Sequence, residues 1–130
     1  MPIEVKYDVH RKILDISVSG KPDIIELAST LETITHSIDY PPKTNTIWDL
    51  RKADLLNVDA DMIKQIIEVG THFIKQRAKI KTALVAAGGL QLAFSRAIQV
   101  HAERIIPQEI MYFSDYSDAE QFVLEDPLTE

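Results

Sequence analysis

The chain has 130 residues, no cysteine and a net charge of −6. That length suits one domain burying roughly two-thirds of its unfolded surface without a disulfide or metal staple, and the lack of thiols excludes disulfides, thiolate nucleophiles and thiolate metal sites. An acidic chain whose cationic cluster at 75–81 (KQRAKIK) has no interleaved aromatic residues is a poor match for nucleic acid; that cluster is expected to close a helix C-terminus.

Residues 3–9 (IEVKYDV) alternate and predict a strand. Residues 12–19 (KILDISVS) alternate more clearly, with Leu14, Ile16 and Val18 forming the expected buried face and Ile13, Asp15 and Ser17 the other. His10-Arg11 fits a hairpin connection between them. Gly20-Lys21-Pro22-Asp23 starts a helix, with Pro in the first turn and Asp23 and Glu26 complementing its dipole. Its apolar stripe runs through Ile24, Leu27, Ala28, Leu31, Thr35 and Ile38, and Tyr40-Pro41-Pro42 stops it.

Residues 45–50 (NTIWDL) predict the third strand, with Trp48 read as a core residue in preference to a ligand-stacking one. Residues 60–77 predict the second helix, with Ile63, Ile66, Ile67, Gly70, Phe73 and Ile74 on one face. Residues 80–87 (IKTALVAA) are nearly all apolar, as expected of a strand covered on both faces in a parallel sheet. Gly88-Gly89 makes a turn. Residues 90–105 then form a third helix, with Leu90, Ala93, Phe94, Ala97, Ile98, His101 and Ile105 facing in and Ser95 and Arg96 facing out. Leu92 and Val100 lie off that stripe and either widen it or offer a dimer or partner surface. Pro107 ends the helix. Residues 109–113 (EIMYF) predict the fifth strand, and 116–125 the last helix, capped by Ser114 or Asp115.

The order ββαβαβαβα predicts a single α/β domain. A hairpin followed by alternating strands and helices implies right-handed crossovers and a mixed, mostly parallel sheet of about five strands with about four helices. No apolar run approaches the roughly 18 residues of a membrane span, and the N-terminus lacks the basic-then-apolar layout of a signal peptide. A soluble cytoplasmic protein is therefore expected.

Chemistry-bearing residues crowd the third strand and the segment after it: Asp49, Arg51, Asp54, Asn57, Asp59 and Asp61. Asn57, Asp59 and Asp61 suit helix capping, typically worth about 0.5–2 kcal/mol. Asp49 beside Arg51 suits a local ion pair; the alternative is a surface that a partner reads. The calcium-loop pattern is missing, so no metal is expected. Gly88 and Gly89, with Arg96 farther along, have the layout of an anion site at a helix N-terminus. Neither the dinucleotide nor the P-loop fingerprint accompanies them, and a tight turn is the simpler reading. His10, His36, His72 and His101 form no i, i+4 metal pair.

Three motifs, in this order, resemble the STAS-like family of small bacterial proteins, relatives of the anti-sigma-factor antagonists. They are IWDLRKAD at 47–54, KIKTALVAA at 79–87 and EIMYFSDYSDAEQFVLED at 109–126. The resemblance spans nearly the whole chain, although the family's Trp-Leu near the end is replaced by Phe122-Val123. It implies one STAS-like domain over residues 1–130 and a non-enzymatic regulatory or protein-interaction module without cofactor. In the antagonists, a Ser at the start of the second helix is phosphorylated by a partner kinase, which switches binding off. Here that position falls at Val58 or Asp59, and no hydroxyl lies between Thr46 and Thr71, so the switch is not expected in its usual form. The expected working surface joins 49–61 to 88–96, since open α/β sheets gather ligands at the carboxyl ends of their strands. Its partner is an unidentified protein or a second copy of the chain. The alternatives are a carrier of a small apolar ligand or lipid between the sheet and the second and third helices, and a hydrolase using His101 or Asp49.

Overall fold

A computed structural model describes residues 3–21, 23–36, 44–56, 58–74, 81–105 and 109–125. The elements are β1 (Ile3–Asp8), β2 (Ile13–Gly20), α1 (Ile24–His36), β3 (Asn45–Ala53), α2 (Ala60–Ile74), β4 (Lys81–Val85), α3 (Gly89–Ile105), β5 (Glu109–Phe113) and α4 (Tyr116–Leu124). The order is the expected one. Asn57, the Tyr40-Pro41-Pro42 stop, Ile38, Pro107 and residues 75–80 lie outside the described residues, as do the side chains of His72 and His101.

The five strands lie side by side in sequence order. β1 runs antiparallel to β2, and each later strand runs parallel to the one before it. Right-handed crossovers that always step in one direction put their helices on one face of the sheet. On that face Leu14, Ile16, Val18 and Leu50 pack with Ile34 of α1, and Val58 and Phe94 lean against the same cluster. The other face has one helix, α4, whose Ala119 and Val123 pack on Ile13, Ile47, Ala83 and Val85. Ile13 is therefore buried as well as its expected neighbours, because α4 covers the face on which it stands. Trp48 is half-buried and bridges the clusters on the three-helix face.

Two local departures have clear causes. β3 continues to Ala53, three residues beyond the apolar run, because Ser19 and Gly20 of β2 pair with Lys52 and Ala53 past a register shift between Ser17 and Ser19. Arg51 is thus a strand residue. α3 is turned about its axis relative to the apolar stripe in its sequence. Ser95 is fully buried and Ala93 is exposed, the reverse of the expectation for both. Leu92 and Val100 do not widen the buried stripe; they are 37% and 44% exposed. The cause is Gln91, whose Nε2 donates to the carbonyls of Ala53 (2.8 Å) and Arg51 (3.1 Å). That anchor fixes which side of α3 meets the sheet.

Candidate functional site

The β3–α2 connection is built from side-chain-to-backbone bonds. The Asp54 carboxylate accepts from the N–H of Leu56 (3.1 Å), a local turn of the kind short acidic side chains make. The Asp54 N–H donates to the Gly20 carbonyl (2.7 Å), tying the loop to the end of β2. Asp59 caps α2: its Oδ1 accepts from the N–H of Met62 (2.8 Å) while its carbonyl takes the first helical bond from Ile63. Asp61 stands in the first turn, where the helix dipole favours a negative charge. Between these acids in the chain, Leu56 is an apolar side chain 72% exposed.

The β4–α3 connection lies beside it. Gly88 and Gly89 have φ of 125° and 57°, backbone that a side chain would strain. The Gln91 Oε1 accepts from the Ala87 N–H (2.9 Å), reaching back over the helix start as a capping-box residue does. Through Gln91 the start of α3 is bonded to the end of β3. Sequence reasoning missed Gln91; its place as a Gln in the first turn of a helix was the available signal.

The candidate residues separate into three places. Asp54, Asp59 and Asp61 belong to the start of α2. Arg96 and Gly89 line one open groove of about 660 Å3 on α3, with Leu92, Ala93, Ala97, Val100 and Tyr112 of β5. Asp49 and Arg51 point to the other face of the sheet. There the Arg51 Nε and Nη2 donate to the two Asp49 oxygens (2.9 and 2.8 Å). This bidentate pairing holds the Asp49 carboxyl below its usual range and raises the guanidinium further.

That second face holds a cluster which the sequence did not reveal. Arg51 stacks over the Tyr116 ring at 5.6 Å and Arg11 over the same ring at 6.0 Å. Arg11 donates to Asp8 (2.7 Å), Asp15 (3.5 Å), the Tyr116 hydroxyl (3.2 Å) and Glu120. Tyr116 in turn donates to Asp15. Burial and its bond to Asp15 push the Tyr116 phenol up. Among the described residues no group of three His, Asp or Glu side chains is arranged to hold a metal ion, and no helix is long and apolar enough to cross a membrane.

No protein-family model matches the chain, and no curated protein matches it. Among solved structures it is similar to an uncharacterized protein of the DUF3478 family with a SpoIIAA-like fold, from Shewanella loihica PV-4. The match covers 93% of this chain and 91% of that one, with a TM-score of 0.64 and 20% sequence identity. Similarity at that identity, over that span and with the same succession of elements, establishes the architecture: the chain has the SpoIIAA-like, STAS-like fold.

Proposed function

We propose that the chain is a non-enzymatic regulatory module of the STAS-like type, working in the cytoplasm by binding a protein partner through the β3–α2 loop and the starts of α2 and α3. The observation that carries this reading is Leu56. Leu56 is an apolar side chain 72% exposed, its N–H bonded to Asp54, and an exposed apolar side chain gains most from docking into an apolar pocket. Asp54, Asp59 and Asp61 are its neighbours in the chain, so the complementary partner has an apolar pocket with basic side chains near it. The resemblance puts the antagonists' phosphorylated Ser at Val58 or Asp59, and the Asp59 carboxylate suits a constitutively charged version of that surface.

The test is affinity capture from the source organism with the parent chain and with Leu56→Asp, each also weighed by native mass spectrometry. A protein retained by the parent and lost with the variant, at equal melting temperature, supports the reading. A partner bound equally by both removes the loop from it. The alternative of a small apolar-ligand carrier draws on the α3 groove, where Leu92 and Val100 border Tyr112. Added small-molecule mass on the native chain would favour that alternative, and a bare chain with a captured protein the module.

A further inference from the structure

We propose that Arg11 is the keystone of a latch on the second face of the sheet: it holds α4 in place, and α4 undocks as a unit when that contact is broken while the strands and the other helices stay folded. α4 has nine residues, of which Ala119 and Val123 are buried, and its Tyr116 and Phe122 pack partly buried against the same cluster. A helix that short is not stable alone. Beside this packing, polar contacts hold it to the sheet, and they sit at its two ends.

At the end nearer its start, Tyr116 and Glu120 both meet Arg11. At the other end the Lys81 ammonium donates to the carbonyls of Phe122 and Glu125 (3.3 Å each), and Asn45 donates to the Val123 carbonyl (2.7 Å). The C-terminal contacts come from strand residues already fixed in the sheet. In the other set, the bonds from the hairpin between β1 and β2 to Glu120 and to the Tyr116 hydroxyl both depend on Arg11, beside the bond that Tyr116 gives Asp15.

Charge makes that dependence steep. Asp8 and Asp15 on the sheet and Glu120 on α4 converge on the one guanidinium, while the neighbouring Arg51 is engaged by Asp49. With Arg11 in place, the hairpin and β2 attract α4. Without it, two carboxylates on the sheet face a third on the helix, and the Tyr116 bond to Asp15 is left to oppose their repulsion across the α4 contact. Undocking bares Ile13, Ile47, Ala83 and Val85, a contiguous apolar row on three strands.

Native-state hydrogen exchange on the full chain tests the latch. In the parent, the helical amides of 119–124 are expected to exchange faster than those of 13–18 and 45–50. Arg11→Gln is expected to speed α4 exchange about tenfold or more, the effect of losing charge-assisted hydrogen bonds, and to leave the strand amides unchanged. Acceleration of all these amides by one common factor, or of none, overturns the proposal. Should Arg11→Gln not fold, Glu120→Gln and Tyr116→Phe each remove one arm. They are expected to give smaller accelerations confined to α4, and an equal response across the sheet overturns it as well.

Discussion

Asp59 and Asp49 are both acidic and ten residues apart, yet they do different work. Asp59 is exposed and satisfies one of the free N–H groups at the start of α2. Replacing it with Ala is expected to cost about 1 kcal/mol, read as a lowered midpoint in urea with an unchanged slope. If Asp59 also contacts the partner, affinity in the capture assay falls by more than the loss of folded protein accounts for. Asp49 accepts three bonds from Arg51, two of them from its guanidinium, and stands on the face that α4 covers. Both residues were conspicuous in the sequence as acids near a strand end. Asp49 shares the face of Ile47 by strand alternation, whereas Arg51 joins it there only because β3 extends to Ala53, and that depended on a register shift in β2 that no local pattern signals.

At the scale of elements, α3 shows best where sequence periodicity stops being informative. Its apolar residues occupy more than one side, so the stripe does not by itself say which side meets the sheet. Gln91 decides, through carbonyls on a strand some 40 residues earlier. One result is Ser95, fully buried, with an Oγ that meets no hydrogen-bond partner among the described residues. An unmade bond to a buried hydroxyl is costly, and Ala is nearly the same size. Ser95→Ala is therefore expected to leave stability unchanged or raise it by up to about 1 kcal/mol, measured by thermal unfolding. A clear loss would mean that the hydroxyl serves a group bound there. Strands were easier to read. All five residues of β4 are buried, and the run that suggested a two-sided parallel strand has α4 on one face and Trp48, Ile98 and Tyr112 on the other. Lys81 starts β4, inside the strand expected over 80–87, and serves the C-terminal carbonyls of α4. The rest of the cationic cluster lies outside the described residues; that Lys81 reaches α4 is a proximity in space which the order of residues does not show.

For the molecule as a whole, acid should reveal the second face. Asp8 and Asp49 are both held below the ordinary value of 3.8, Asp8 by the Arg11 N–H and guanidinium, Asp49 by the Arg51 guanidinium. Each binds its proton more weakly folded than unfolded. Their contribution to stability is therefore complete above that ordinary value and is lost as pH falls through the lower folded value. The melting temperature is expected to hold between about pH 7 and 5 and to drop below about pH 4. Asp49→Asn should make that drop shallower, and a variant curve parallel to the parent's would contradict the assignment. The architecture was legible because strand order follows sequence order and each βαβ step has one allowed hand. The Arg11 cluster was not, since its members stand up to 109 residues apart and nothing in the hairpin points toward the end of the chain.

Because every strand lies next to its predecessor, the polypeptide leaving a ribosome finds a template for each new strand already emerged. Assembly can proceed from the first hairpin outward, with only modest loops to close at each step. The exceptions include the bonds from the first turn to Tyr116 and Glu120, which span 105 and 109 positions and must wait until α4 has been made. A truncated product would thus carry most of the sheet while lacking the cover on one side, and its bared isoleucines and valines would mark it to chaperones and proteases as unfinished.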